Sequence, residues 1–133
     1  MDAERISIAQ TCLNAAHDGS LSFPEIVGKL IAVGFEGYVV DYRRNTQIFY
    51  VPDGDSTLLD MQPSAGTVAE SFNANSVEAL VRWAQANDPD YSYKGFCEKV
   101  KAAGCAGYFV SFLGRRVVYF GRTAETHVEH FPK

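Results

Sequence analysis

The chain of 133 residues carries 12 basic and 16 acidic side chains, a net charge of -4, with 47% hydrophobic and 21% charged residues. That length fits one domain, and the composition excludes wholesale disorder. The acidic balance argues against a nucleic-acid surface spread over the whole protein, and no apolar run approaches the roughly 20 residues of a membrane span. The start MDAERISIAQ is acidic and polar where a signal peptide is basic and then apolar, so a cytoplasmic protein is expected.

In chain order, Ile6, Ala9, Leu13 and Ala16 recur at helical spacing, and Asp18-Gly19 ends the run. Ser22 opens a second helix with Glu25 as its capping-box partner and Pro24 in the first turn. Ile26, Val27, Leu30 and Val33 form its apolar face, and Gly34 suits a left-handed C-terminal position. Three strands follow at 38–42, 47–51 and 56–61, with Arg43 to Thr46 and the Pro52-Asp53-Gly54-Asp55 run as turns. Asn75 with Glu78 is positioned to cap a third helix carrying Val77, Leu80, Val81 and Ala84. Ser92 caps a fourth, with Phe96, Cys97, Val100 and Ala103 inward and Lys94, Glu98, Lys99 and Lys101 outward. A second meander is predicted over 108–112, 116–120 and 126–131.

The chain also matches itself at an offset of 70 without a gap. Lys29, Ala32, Gly34, Gly37, Tyr38 and Val40 fall on Lys99, Ala102, Gly104, Gly107, Tyr108 and Val110. The expectation is a single α+β domain over 1–133 with an internally duplicated helix-helix-three-strand unit, pseudo-repeats about 1–61 and 74–131 joined by 62–73. Its antiparallel meanders carry helices packed on one face, in one sheet or in two facing halves. Tyr38, Tyr42, Tyr50, Tyr108, Phe112 and Tyr119 enrich the strands in aromatics. They suggest that the other face is covered by a partner subunit in a homodimer or lines a cleft.

The block Ala103-Gly104-Cys105-Ala106-Gly107-Tyr108, with Gly114 to Thr123 and Glu125 to Pro132 after it, resembles the YbcV-like family. Ser22-Phe23-Pro24-Glu25 and Tyr50-Val51-Pro52-Asp53-Gly54 fit it too, so the likeness spans most of the chain. This is a bacterial family of unknown function, some of whose members carry the label "phage envelope protein". The resemblance implies a unified fold and carries over no catalytic residues. One departure stands out, because the family pattern implies Gly where this chain has Ala124.

Candidate chemistry gathers in the last meander. On a strand Glu125, His127 and Glu129 share one face and His130 takes the other, a set suited to ligand contact, acid–base work, zinc ligation with no third ligand fixed by sequence, or simply a solvated edge. Arg115, Arg116 and Arg122 near the turns are suited to a small anion, or to salt bridges with Glu125 and Glu129. With Thr123 central to the hairpin, Tyr119 opposes His127 and Arg116 opposes His130, which places a ligand site among these residues. An enzyme would use Cys105, expected to be the accessible thiol after a helix end, with His127 as base. An RNA-binding module would use strand aromatics beside basic residues, but the net charge opposes it and makes nucleic acid an unlikely partner. No motif calls for a metal or a cofactor, and Cys12, Cys97 and Cys105 form no CxxC unit. The leading reading is a small binding or regulatory protein that recognises an anionic ligand or a protein partner.

Overall fold

A computed structural model describes residues 1–86 and 88–132. Its elements run α1 (Ala3–Asp18), α2 (Phe23–Ala32), β1 (Gly37–Asp41), β2 (Thr46–Tyr50), β3 (Ser56–Asp60), α3 (Ala74–Gln85), α4 (Tyr93–Ala102), β4 (Cys105–Ser111), β5 (Arg116–Gly121) and β6 (Thr126–His130). Local chemistry sets most boundaries. The Ser22 hydroxyl accepts from Glu25 N while the Glu25 carboxylate accepts from Ser22 N, which closes the capping box on α2. Ser92 caps α4 by accepting from Gly95 N. Gly19, Gly34 and Gly104 take left-handed conformations just past α1, α2 and α4.

The six strands form one antiparallel sheet in the order β3-β2-β1-β4-β5-β6, which resolves the choice between one sheet and two facing halves. Partner numbers sum to 87 for β1–β2 and to 227 for most of β4–β5. They sum to 106 for β2–β3 and to 246 for β5–β6. Adding 70 to both partners converts each first-half register into its second-half counterpart. The departure is a bulge between Cys105 and Gly107. β1 and β4 pair at the centre, with Val39 opposite Phe109.

The helices lie against one face. Tyr38, Val40, Phe49, Tyr108, Val110, Val117 and Tyr119 from the strands share a buried core with Leu13, Leu30, Val77 and Val100 from the helices. Two hydroxyls inside it, those of Tyr93 and Tyr108, lie 2.6 Å apart, and Gln47 Nε2 donates to the Tyr93 hydroxyl at 3.1 Å. The polar atoms are thereby paired where water is excluded. No helix among the described residues is long and apolar enough to cross a membrane.

Two sequence expectations need correction. α3 is capped by Asn73 and not Asn75. Asn73 N donates to Ala103 O at 2.8 Å, which fixes the chain two residues earlier, and the Asn73 side chain accepts from Ser76 N. Lys101 does not face out. Its ammonium donates to Ser64 O, Ser64 Oγ and Gly66 O at 2.7–3.3 Å, and the segment joining the two halves folds over it.

The turn residues repeat at the same offset. Asn45 and Arg115 have φ of 56° and 52°, and Gly54 and Ala124 have 92° and 65°. An alanine in the left-handed region costs about 1–2 kcal/mol, and glycine gives part of that back through the entropy of the unfolded chain. Ala124→Gly is therefore expected to stabilise the protein by about 1 kcal/mol, read as a melting temperature raised by about 3 °C. An unchanged or lower melting temperature would contradict the strain at this turn.

Candidate functional site

The β5–β6 register is the expected one: Arg116 opposes His130, Val117 opposes Glu129, and Tyr119 opposes His127. Alternation along the strands then divides the expected cluster between the two faces of the sheet. Tyr119, His127 and Glu129 lie on the helix side, whereas Arg116 and His130 lie on the open side. The cluster of Arg116, Arg122, His127, Glu129 and His130 is thus not one site.

The remaining members are engaged locally. Arg122 Nη1 donates to Val68 O at 3.3 Å. Arg115 Nη2 donates to Pro132 O at 3.0 Å, and its guanidinium lies 6.0 Å from the Phe131 ring centre. Glu125 accepts from the Thr123 hydroxyl at 2.8 Å. Backbone carbonyls and a hydroxyl take these groups where an anion was expected to draw them together.

On the helix side, His127 Nε2 lies 2.5 Å from Glu129 Oε2, and the other carboxylate oxygen of Glu129 meets Arg82 Nη1 from α3. Arg82 also pairs with Glu78 at 3.5 Å. Arg82 escaped the sequence reading because the contact joins residues 47 apart through the packing of α3 on β6. Burial alone would raise the Glu129 carboxyl, but the hydrogen bonds from Arg82 and His127 outweigh it and hold it below its ordinary 4.5. The arrangement fastens α3 to the edge strand and is satisfied within the chain.

Cys105 is fully buried, which corrects its expected accessibility, and its thiol donates to Gly107 O at 3.2 Å. Burial pushes it up to about 12, and Cys97 up to about 11, so neither offers a thiolate near neutral pH. Tyr38, Tyr42, Tyr108 and Tyr119, cited above for an uncovered face, are core residues of the covered one.

The open face carries a different feature, one the aromatic count did not reveal. At mid-strand the registers align Leu58, Ile48, Val39, Phe109, Val118 and Val128 in one unbroken apolar row across all six strands. Leu58, Phe109 and Val128 are 46%, 43% and 39% exposed. The sequence signal was present as broken alternation: Tyr38-Val39-Val40, Tyr108-Phe109-Val110 and Val117-Val118-Tyr119 are apolar on both sides. Strands that read so are usually covered on both faces.

Two flanking rows complete the surface. One runs Ser56, Tyr50, Gly37, Ser111, Arg116, His130, and the other Asp60, Thr46, Asp41, Gly107, Phe120, Thr126, with Thr46 itself buried. Phe120 lies over Gly107, where a Cβ would come within 2.8 Å of its ring and 2.2 Å of Val40 O. Glycine there keeps the face flat between Asp41 and Phe120. A shallow groove beside Val39 and Phe109, bounded by Tyr50, Pro52 and Ser111, has a volume of about 340 Å³. Such a surface can bind through apolar contact, with polar selection at its corners.

No protein-family model matches the chain, and no curated protein matches its sequence.

Two measurements check this geometry. Glu129→Gln is expected to cost about 1 kcal/mol at pH 7 in urea unfolding, the upper end for a partly exposed ion pair. A carboxyl held low in the folded state contributes stability above its unfolded value of 4.5 and loses it as pH falls through the folded one. The cost should therefore shrink below pH 4.5, and a cost independent of pH would contradict the tie. Native protein at pH 8 should leave its thiols unreacted with an aromatic disulfide reagent, and unfolding should release all three. Rapid labelling of Cys105 in the native state would contradict its burial.

Proposed function

We propose that this chain is a small non-enzymatic binding module whose working surface is the open face of the sheet, and that what it binds is a protein. The observation carrying this reading is the apolar row Leu58–Ile48–Val39–Phe109–Val118–Val128, which has helices behind it and nothing in front among the described residues. Contiguous apolar surface with a polar rim is characteristic of an interaction site, since exposing it to water is otherwise unfavourable. Arg116 and His130, adjacent across β5 and β6, are the groups on this face that would receive an acidic part of the partner. Self-association is the simplest form of such binding.

The placement with the YbcV-like family remains part of this proposal and rests on the C-terminal block quoted above. The thiol-enzyme alternative has less support, because Cys105 is buried with its thiol held protonated. The RNA alternative is opposed by Asp41 and Asp60 on the same face and by the net charge of -4.

Photo-crosslinking in living cells tests the assignment. A benzophenone side chain at position 109 or 128 is expected to trap a protein. The same group at Ile31, which is 52% exposed on α2, should trap none. Equal trapping at all three positions, or none at 109 and 128, would overturn the open face as the binding surface.

A further inference from the structure

The open face is electrically asymmetric, and the asymmetry lies on a diagonal. Arg116 and His130 occupy one corner, on β5 and β6 in the first flanking row. Asp60 occupies the opposite corner on the edge strand β3, and Asp41 lies in the same row, the second, on the central strand β1. Between them runs the apolar row, with Val39 and Phe109 at its middle. Asp41 Oδ1 accepts from Arg43 N and Arg44 N, which leaves Oδ2 for another partner. A patch with opposite charges at its two ends and an apolar centre is complementary to itself, as a twofold interface between identical chains requires.

We propose that the partner of this face is a second copy of the chain, docked sheet against sheet so that the Arg116–His130 corner of each lies over the Asp41–Asp60 side of the other. The inference rests on the open face being a binding surface. A twofold axis in the plane of contact, perpendicular to the charge diagonal, exchanges the two corners and crosses the strands of the two sheets at a large angle. With strands about 4.8 Å apart and same-face neighbours about 6.7 Å apart, Arg116 of one copy projects between Asp41 and Asp60 of the other, offset about 5 Å from each in the plane, across the roughly 10 Å between packed sheets. A guanidinium there can engage both carboxylates. Val39 and Phe109 of both copies meet at the axis.

Six strands of about five residues give a face near 29 by 17 Å, and two such faces crossed at a large angle overlap over about 17 by 17 Å, or about 300 Å² per copy. Twice that is about 600 Å², below the roughly 1,000 Å² of a stable specific interface and in the range of a transient one. The complex is accordingly a weak, reversible dimer, weakened further by salt. Nucleic acid fits this face less well, because the same carboxylates that complement Arg116 repel phosphates.

Sedimentation equilibrium of the full chain from 1 to 200 μM tests the proposal. The expected result is a concentration-dependent shift from one chain to two. Phe109→Glu, Arg116→Asp and Asp60→Arg should each weaken association at least tenfold while leaving the circular dichroism spectrum unchanged. An equimolar mixture of Arg116→Asp and Asp60→Arg should associate again, since both symmetric contacts regain opposite charges. A chain that stays single at 200 μM overturns the proposal, as does a dimer indifferent to all three substitutions or a mixture that fails to recover. If the wild type is single while cross-links at 109 and 128 trap a different protein, the binding-face reading stands and self-association falls. If those cross-links are absent as well, both fall.

Discussion

The antiparallel pairing of β1 with β4 is the constraint on which the rest of the structure depends. Each half, taken alone, is a three-stranded meander with two helices on one side. Joining them through Val39 and Phe109 makes one sheet, and the register there decides which residues from distant parts of the chain share a row. Because side chains alternate, a slip of one residue would send either Tyr38 and Val40 or Tyr108 and Val110 to the open side and take half of this central layer out of the core. The same alternation sets the mid-strand residues of all six strands in one line facing away from the helices. Core and open face are thus two consequences of one register.

Packing accounts for the covered face more fully than for the open one. Beneath the helices, the Tyr93 and Tyr108 hydroxyls and Gln47 are paired among apolar side chains, while the Tyr42 hydroxyl is buried without a partner among the described residues. The segment between the halves is pinned by Lys101 and by Glu98, which accepts from Ala65 N at 2.8 Å. On the open side, burying a large apolar side chain is worth about 1.5–3 kcal/mol, yet Leu58, Phe109 and Val128 stay substantially in contact with water. Nothing in the fold requires a phenylalanine at position 109. A partner does.

Much of this was legible in the sequence because it is local. Ser22, Ser92, Gly34 and Gly104 mark helix ends through their own backbone and side-chain chemistry. The turn at Thr123 fixes the β5–β6 register without help from the rest of the chain. The offset of 70 corresponds to strand registers that match in the two halves. Residues whose roles depend on distant segments were not legible. Arg82 meets Glu129 only once α3 lies on β6, Lys101 is buried only by the path of residues 64–66, and Asn73 becomes the cap through its bond to Ala103. The hairpin residues were grouped by their nearness in sequence, and the two faces of a strand separate what sequence places together. Tyr38, Tyr42, Tyr108 and Tyr119 drew attention to an uncovered face for the wrong reason. The useful signal was the loss of alternation at Val39, Phe109 and Val118.

The central claim is that the row across the open face is working surface and not core. Methyl resonances in the presence of a dissolved paramagnetic probe test it most directly. In dilute protein, Val39, Ile48, Leu58, Val118 and Val128 should be broadened while Val40, Val77 and Val100 are spared. As the protein is concentrated or its partner added, the row should become protected together. Uniform protection of the row at every dilution and without a partner would contradict the account, as would a row that stays fully accessible in the bound state.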